Sequence, residues 1–137
     1  MIHITRRARF SAAHILFNDS WSDEKNTEIF GKCANKNWHG HNYELFVTVT
    51  GSINKKSGFV MDLKDLKALI HTKVINKLDH KYINEVPFMT GRISSTENLC
   101  IAIWEELKKP IKNLGGKLYK IKITETENNY FEYYGKS

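Results

Sequence analysis

Apolar and polar residues alternate along two stretches in the first half of the chain. In residues 2–13 the apolar parity is occupied by Ile2, Ile4, Ala8, Phe10 and Ala12. In residues 39–51 the corresponding set is Tyr43, Leu45, Val47 and Val49. Because successive side chains of a strand point to opposite faces of the sheet, both stretches are predicted to be β-strands that bury one face.

Two later segments repeat apolar residues every three or four positions, as an amphipathic helix does. The first helix is predicted to begin after Asp62 as its N-cap and to end near Lys77. Its inward residues are predicted to be Leu63, Leu66, Leu69, Ile70 and Val74. The second helix is predicted to begin at a capping box, residues 94–97, and to end at Pro110. Its inward residues are predicted to be Leu99, Ala102, Ile103 and Leu107.

The end of the chain returns to the alternation of a strand. The apolar parity is occupied by Tyr119, Ile121 and Ile123. Glu125 takes the next position of that parity, and residues 127–129 predict a tight hairpin turn into a last strand from Tyr130 to Tyr134. By contrast, residues 16–36 are mostly polar and are predicted to form a long loop, a feature that is often functional.

The order of these elements is strand, strand, helix, helix, strand, strand. It predicts an α+β fold with a four-stranded antiparallel sheet and both helices packed on one face. A chain of 137 residues can bury its own core, so we expect a single domain over residues 1–137. The edges of so small a sheet are unprotected, and pairing between subunits would cover them.

The composition is typical of a soluble globular protein, with 41% hydrophobic and 26% charged residues. No apolar run is long enough for a membrane span and the first residues lack the apolar core of a signal peptide, so we expect a cytoplasmic protein without a membrane partner. The net charge of +6 favours an anionic partner. The lysines and arginines are dispersed and form no recognised binding motif, which argues against nucleic acid. Cys33 and Cys100 are expected to be reduced thiols with separate roles.

Three histidines carry the main chemical signal. His39 and His41 share the apolar parity of the second strand and His14 that of the first, so we expect all three near one end of the core-facing side. Gly40 lets the backbone come close to whatever they hold. Three neutral imidazoles with an open fourth position are a common arrangement for catalytic zinc. Two other interpretations stay open: Cys33 as the fourth ligand of a structural site, or histidines that are merely packed or exposed.

Three further positions have residue types suited to catalysis or binding. A thiol near a divalent cation loses its proton more easily, so Cys33 is a candidate base. Asp79 and His80, just beyond a predicted helix end, are a candidate carboxylate–imidazole pair for proton transfer. Glu125 lies on an apolar strand face, where a carboxylate requires hydrogen-bond donors from a helix residue or from a ligand.

Five motifs occur together along nearly the whole chain. They are Phe10-Ser11-Ala12-Ala13-His14, Cys33 with five residues before His39-Gly40-His41-Asn42-Tyr43, Leu78-Asp79-His80-Lys81, Ser94-Ser95-Thr96-Glu97-Asn98, and Tyr119 through Glu125-Thr126-Glu127-Asn128-Asn129. In this order they resemble the 6-pyruvoyltetrahydropterin synthase family, which includes the bacterial 6-carboxytetrahydropterin synthases. The sequence departs from the family pattern at Ala13, where serine is common, and at Ser95, where threonine is common.

The resemblance implies a tunnelling fold, in which the sheets of three subunits join into a barrel. Two trimers would stack into a homohexamer with active sites at the subunit interfaces. By the matching positions, His14, His39 and His41 would bind Zn²⁺. Cys33 would be the thiolate that abstracts a proton.

The resemblance also implies roles for residues later in the chain. Asp79 and His80 would complete a proton relay, supplied by a neighbouring subunit. Glu125 would anchor the pterin ring by accepting hydrogen bonds from its amino and ring nitrogens. The residues that would line the same pocket are Ser95, Thr96 and Glu97.

Five residues separate Cys33 from His39. Within the family, this spacing resembles that of the enzymes that make 6-pyruvoyltetrahydropterin, whereas a spacing of three residues is more common in the 6-carboxy enzymes. We therefore expect a zinc-dependent lyase that converts 7,8-dihydroneopterin triphosphate to 6-pyruvoyltetrahydropterin with elimination of triphosphate. The alternative enzyme is the 6-carboxytetrahydropterin synthase of queuosine biosynthesis, which uses the same substrate and releases acetaldehyde. An alternative of another class is a non-catalytic, zinc-stabilised oligomerisation module.

Overall fold

A computed structural model of the protein describes residues 1–35 and 39–136. The last residue of the predicted 16–36 loop therefore lies outside the described residues. The strands are β1 (Ile2–His14), β2 (His39–Gly51), β3 (Lys81–Tyr82), β4 (Lys117–Thr126) and β5 (Asn129–Tyr133). The helices are α1 (Asp23–Phe30), α2 (Leu63–Ile70), α3 (Asn76–Leu78) and α4 (Thr96–Asn113). Within the described ranges, no helix combines the length and the apolar character that crossing a membrane requires.

The sheet has five strands in the order β3-β1-β2-β4-β5. The pairs β1–β2, β2–β4 and β4–β5 are antiparallel, whereas β3 runs parallel to β1 beside Ala12 and Ala13. The predicted α+β class is confirmed, but the prediction of a purely antiparallel sheet of four strands is wrong. The extra strand is only two residues long, so it has no alternating pattern of its own, and it forms where the chain after α3 meets the end of β1.

Helices α2 and α4 cover one face of the sheet and enclose the hydrophobic core. The fully buried residues of these helices include Leu66, Ile70, Leu99, Ile103 and Leu107. Asp62 caps α2 as predicted, and its side chain accepts a hydrogen bond from the backbone of Lys64. Leu63, predicted to point inward, is instead 50% exposed. It lines a surface groove with Ile2 and Phe59 instead of the core.

The two long helices differ from the prediction at their ends. A π-helical turn over residues 71–75 joins α2 to α3, which ends at Leu78, one residue beyond the predicted end. Helix α4 is capped by Ser95, whose hydroxyl accepts from the backbone of Asn98, so the cap lies one residue after Ser94, the first serine of the predicted box. Pro110 was expected to end α4, yet the helix continues to Asn113. The loss of one backbone hydrogen bond at the proline is outweighed by the burial of Ile111 in the core.

The predicted loop over residues 16–36 contains regular structure. Ser22 caps α1 by accepting from the backbone of Lys25, and a 3₁₀ helix, Gly31–Ala34, follows directly. The loop prediction is therefore wrong over residues 23–34. Helix α1 is specified by its cap and by the buried polar side chain of Asn26, neither of which produces a periodic apolar pattern.

Tyr119 departs from the predicted parity of β4. It is 39% exposed, while its neighbour Leu118 is buried. Val49 pairs with Leu118 but Thr48 pairs with Lys120, so a β-bulge inserts an extra residue into β4 at Tyr119. The bulge changes which side chains face the core, and alternation alone could not locate it.

Candidate metal centre and active site

Three imidazoles meet where β1 ends and β2 begins. The antiparallel register places His14 directly opposite His39, and it places His41 opposite Ala12 on the same face. One ligand atom from each histidine lies within 4.8 Å of the other two. Their ring centroids are separated by 4.6, 5.1 and 5.3 Å. The structure therefore brings together the three predicted metal ligands, which we call the histidine cluster.

The orientation of His14 is set by the segment that leads into α4. Nδ1 of His14 lies 2.8 Å from the backbone oxygen of Ser94, to which it donates, so the ring directs Nε2 away from that contact. The next residue, Ile15, is held by the side-chain amide of Asn84, which accepts from its N–H at 3.0 Å and donates to its carbonyl at 2.9 Å. These hydrogen bonds fix the end of β1 on both sides of the imidazole.

Burial and mutual proximity disfavour the protonated forms of His14 and His39. Burial lowers the pKa of His14, and the nearby His39 and His41 lower it further, against the opposing effects of the Ser94 carbonyl and Glu125. The pKa of His39 is also lowered, first by burial and then by His41. Nε2 of His14 and Nε2 of His41 are buried with no hydrogen-bond partner among the described residues. Buried imidazole nitrogens without a hydrogen-bond partner, on rings that lie this close together, are the donor set that a divalent transition-metal ion requires, so the cluster fits such an ion.

Glu125 lies beside the histidine cluster, near the end of β4. Its Oε1 is 3.8 Å from Nε2 of His41, and its Oε2 accepts a short hydrogen bond from Thr96 Oγ1. The pairing of β4 with β5 shifts between Thr124 and Thr126, so Glu125 occupies a bulge that can redirect a side chain. The expected donor from a helix is thus Thr96, in the first turn of α4. The side chain of Glu125 retains 21% exposure, which leaves part of the carboxylate accessible.

The other two predicted pocket residues occupy different environments. The hydroxyl of Ser95 is used to cap α4, and Glu97 is exposed on the first turn of that helix. Neither contacts the histidine cluster through a hydrogen bond or ion pair identified among the described residues. Their predicted contact with a ligand stays a prediction.

Asp79 and His80 follow α3 and lie against β1. The carboxylate of Asp79 accepts from the backbone N–H of Ser11 at 2.9 Å and lies 3.1 Å from Nδ1 of His80. The Ser11 hydrogen bond, supported by His80, lowers the pKa of Asp79. His80 has a positive φ of 59°, which is uncommon outside glycine, and its side chain is 82% exposed. It shares an open groove of about 390 Å³ with His41.

Cys33 is half-buried in the 3₁₀ helix after α1 and forms no disulfide. Its carbonyl accepts from the N–H of Leu16 at 2.7 Å, which ties it to the chain just after His14. The thiol is not part of the group of ligand atoms formed by the histidine cluster within the described ranges. This hydrogen bond connects the backbone of Cys33 to the chain two residues after His14, and the role of the thiol stays a prediction.

Two buried hydroxyls near the histidine cluster were not anticipated from the sequence. The hydroxyls of Tyr43 and Ser94 are buried without a hydrogen-bond partner among the described residues. Burial raises the pKa of Tyr43 and the nearby Glu125 raises it further, while the adjacent hydroxyl of Thr96 lowers it. Parity placed Tyr43 on the core face, but no sequence signal distinguished its hydroxyl from that of an ordinary core tyrosine. Ser94 was predicted to cap the helix, and that prediction did not include the hydrogen bond that its carbonyl accepts from His14.

Comparison with known proteins identifies relatives along the whole chain. Residues 3–136 match the family described as 6-pyruvoyl tetrahydropterin synthase. The 6-pyruvoyl tetrahydrobiopterin synthases of Homo sapiens and Dictyostelium discoideum are both 44% identical over 134 residues, 97% of this chain and 91% and 96% of theirs. The solved structure of Caenorhabditis elegans 6-pyruvoyl tetrahydropterin synthase matches with a TM-score of 0.91 and 40% identity, covering 98% of this chain and 96% of that one.

Proposed function

The chain belongs to the 6-pyruvoyl tetrahydropterin synthase family, and we propose that it converts 7,8-dihydroneopterin triphosphate to 6-pyruvoyltetrahydropterin with elimination of triphosphate. The observation that carries this proposal is the histidine cluster, whose ligand atoms lie within 4.8 Å of one another beside an accessible carboxylate, Glu125. A metal site adjacent to an anchor for a nitrogen-rich ring suits the chemistry of a pterin. The net charge of +6 suits a triphosphate.

The resident metal of this proposal is zinc, held by His14, His39 and His41. The lowered pKa values of His14 and His39 and the unpaired Nε2 atoms of His14 and His41 support this assignment. When bound there, zinc supplies a Lewis acid that polarises the oxygens of the substrate side chain. The protein contributes the fixed orientation of His14 through the Ser94 carbonyl.

The proposed base is the thiolate of Cys33. It removes a proton from a carbon of the dihydroneopterin side chain, and the bond from carbon to the triphosphate oxygen breaks as triphosphate leaves. His80, hydrogen-bonded to Asp79, then moves protons between carbon and oxygen to complete the tautomerisation. The short separation of these two side chains, 3.1 Å, supports the role of Asp79 in orienting the imidazole.

The pterin ring is anchored by Glu125 in this proposal. A carboxylate held by Thr96 on one oxygen can accept from the amino group and a ring nitrogen of the pterin with its remaining lone pairs. The pocket is completed by Ser95, Thr96 and Glu97. The bulge at Glu125 supports the proposal, because it sets this side chain apart from the regular alternation of β4.

The proposed assembly is a homohexamer of two stacked trimers, in which the sheets close into barrels. Strand β5 is an edge of the sheet, and β1 is covered by β3 only beside Ala12 and Ala13, so both edges offer unpaired backbone groups. His80 is 82% exposed and is therefore accessible to the active site of a neighbouring subunit. The family match over residues 3–136 supports a single pterin synthase domain.

The test is an assay of the purified, zinc-loaded protein on 7,8-dihydroneopterin triphosphate. The proposal expects release of triphosphate and a product with the mass of 6-pyruvoyltetrahydropterin. Acetaldehyde with a 6-carboxy product would identify the alternative enzyme instead. No turnover on any pterin, together with unfolding by a chelator, would favour a zinc-stabilised oligomerisation module.

One variant of Cys33 distinguishes a catalytic base from a fourth zinc ligand. Cys33→Ala should abolish turnover while retaining zinc at the level of the parent protein. Loss of zinc in Cys33→Ala would instead support a structural site with the thiolate as fourth ligand.

A further inference from the structure

Asn26 is fully buried within α1 although its side chain is polar. Its Oδ1 accepts from the N–H of Asn18 at 2.7 Å, and its Nδ2 donates to the carbonyls of Asn18 and Ser22 at 3.1 and 3.0 Å. The carbonyl of Trp21 is also within 3.4 Å of Nδ2. One amide therefore satisfies the backbone of the turn over residues 18–22 and fixes that turn against α1.

This turn and α1 belong to a closed segment between the histidine cluster and Cys33. The segment leaves β1 after His14, and its two ends are joined by the hydrogen bond from Leu16 N–H to the Cys33 carbonyl at 2.7 Å. Between those ends, the chain path is determined by how α1 docks on the turn. Asn26 supplies the buried polar part of that docking, since its amide contacts both, and the stacking of Trp21 on Phe30 at 5.7 Å supplies the apolar part.

The link from α1 to Cys33 is short and rigid. Gly31 ends α1 with its N–H bonded to the Thr27 carbonyl and a φ of 58°, a left-handed conformation that favours glycine. The 3₁₀ helix Gly31–Ala34 begins at that residue and carries Cys33. A rotation or shift of α1 is therefore transmitted to the thiol with little chain available to absorb it.

We propose that Asn26 is a positioning residue for Cys33, holding the thiol at its working distance from the histidine cluster. The inference rests on the proposed function, in which Cys33 removes a proton from the substrate. Without the amide, the carbonyls of Asn18 and Ser22 keep only their backbone donors, the N–H groups of Trp21 and Asn26, and a carboxylate in its place would repel both oxygens and shift α1 away from the turn. The histidine cluster itself lies on β1 and β2, so metal binding does not depend on this displacement.

The test uses Asn26→Asp, which preserves the size of the side chain but replaces the donating amide by a carboxylate that faces two carbonyls. We expect kcat to fall by about 100-fold, the loss that misplacement of a reacting group by an ångström causes. The KM for the pterin and the zinc content per chain should stay close to those of the parent protein. A purely structural lesion would lower the folded fraction and reduce zinc content and activity together.

A second readout measures the coupling between thiol and metal without any turnover. The rate at which iodoacetamide alkylates Cys33 is compared for zinc-loaded and zinc-free protein by peptide mass spectrometry. A cation near the thiol promotes the thiolate, so the zinc-loaded parent should react faster, and in Asn26→Asp the ratio of the two rates should fall toward one. Cys100 serves as the internal reference, because burial raises its pKa to about 12.

Two further variants keep the test decisive. Gly31→Ala strains the connection between α1 and Cys33 at the residue with positive φ, so it should also reduce the rate ratio. It provides a result if Asn26→Asp folds poorly. Asn54→Asp is the matched control, since Asn54 accepts from the backbone of Lys56 and Ser57 in a distant loop, and it should change neither kcat nor the ratio.

The outcomes separate this inference from the proposed function. An unchanged rate ratio in both Asn26→Asp and Gly31→Ala, with a clear zinc effect in the parent, overturns the positioning role alone. The absence of any zinc effect on Cys33 in the parent overturns the placement of the thiol at the metal centre and the inference with it. A reduced ratio in the variants supports the positioning role even if the pterin assay identifies a different product.

Discussion

Nδ1 of His14 donates to the backbone oxygen of Ser94 across 2.8 Å, so the histidine cluster is tied to the start of α4. The two following residues complete the connection: Ser95 caps the helix, and Thr96 donates to Glu125. Three consecutive residues thus join a candidate metal ligand, a helix terminus and the candidate pterin anchor. A displacement of the first turn of α4 would alter metal binding and substrate binding together.

The first prediction concerns metal binding by the histidine cluster. His41→Ala removes one of three ligand atoms that lie within 4.8 Å of one another, so zinc should no longer be retained at one ion per chain after gel filtration. Zinc content is measured by inductively coupled plasma mass spectrometry. His3→Ala is the control, because His3 stacks on Tyr119 at 4.2 Å near the other end of β1 and should leave zinc content unchanged. Equal zinc content in the two variants would contradict the assignment of the ligands.

The second prediction separates substrate binding from metal binding. Glu125→Gln preserves the shape of the side chain but removes the charge that strengthens hydrogen bonds to a pterin. Hydrogen bonds to charged groups contribute about 1.5–3 kcal/mol, so kcat/KM should fall by roughly 10- to 100-fold with zinc content retained. Glu132→Gln is the control, since Glu132 pairs with Lys120 on the opposite face of the sheet. A kcat/KM for Glu125→Gln equal to that of the control would remove Glu125 from the pocket.

The strand parities explain why the proximity of the three histidines could be predicted from sequence. Because a shift of one residue would expose every core side chain of β1 and β2, the hydrophobic pattern determines their register. That register brings His14 opposite His39, and His41 follows on the same face. Glu125 was located by the same argument, although the bulge that redirects it was not.

Local structure departs from the sequence-based predictions where tertiary contacts determine it. Helix α1 depends on the buried amide of Asn26, and a single buried polar residue has no periodic signature. Strand β3 begins directly after His80, whose N–H donates to the carbonyl of Ser11, a residue distant in the chain. Tyr119 was misplaced because of the bulge opposite Thr48 and Val49. In each case the determining partner belongs to another element.

The third prediction tests which face of α2 supports the core. Leu66 is fully buried and Leu63 is 50% exposed, although both are leucines of the same helix. Leu66→Ala should lower the free energy of unfolding by about 2–5 kcal/mol, because it leaves a cavity in the core. Leu63→Ala should lower it by well under half of that amount. Urea denaturation monitored by tryptophan fluorescence gives both values, and equal losses would contradict the orientation of the helix.

The last prediction concerns the pH dependence of the stability of metal-free protein. Burial lowers the pKa of His14 below its ordinary value near 6.5, and that of His39 is lowered as well. Above that value both imidazoles are neutral in the folded and unfolded states, so they contribute no pH dependence. As the pH falls below it, the unfolded chain takes up protons that the folded chain resists, and the free energy of unfolding should decrease.

The measurement is urea denaturation of chelator-treated protein between pH 7.5 and pH 5, a range chosen as roughly one to two pH units around the ordinary histidine pKa. The pKa of Asp79 is lowered from 3.8, so this carboxylate changes charge only below that range and does not contribute to the slope. His14→Gln should reduce the slope, because glutamine can donate to the Ser94 carbonyl but does not titrate. If the free energy of unfolding has the same pH dependence in His14→Gln and in the parent, protonation of His14 is not the cause of the destabilisation at low pH.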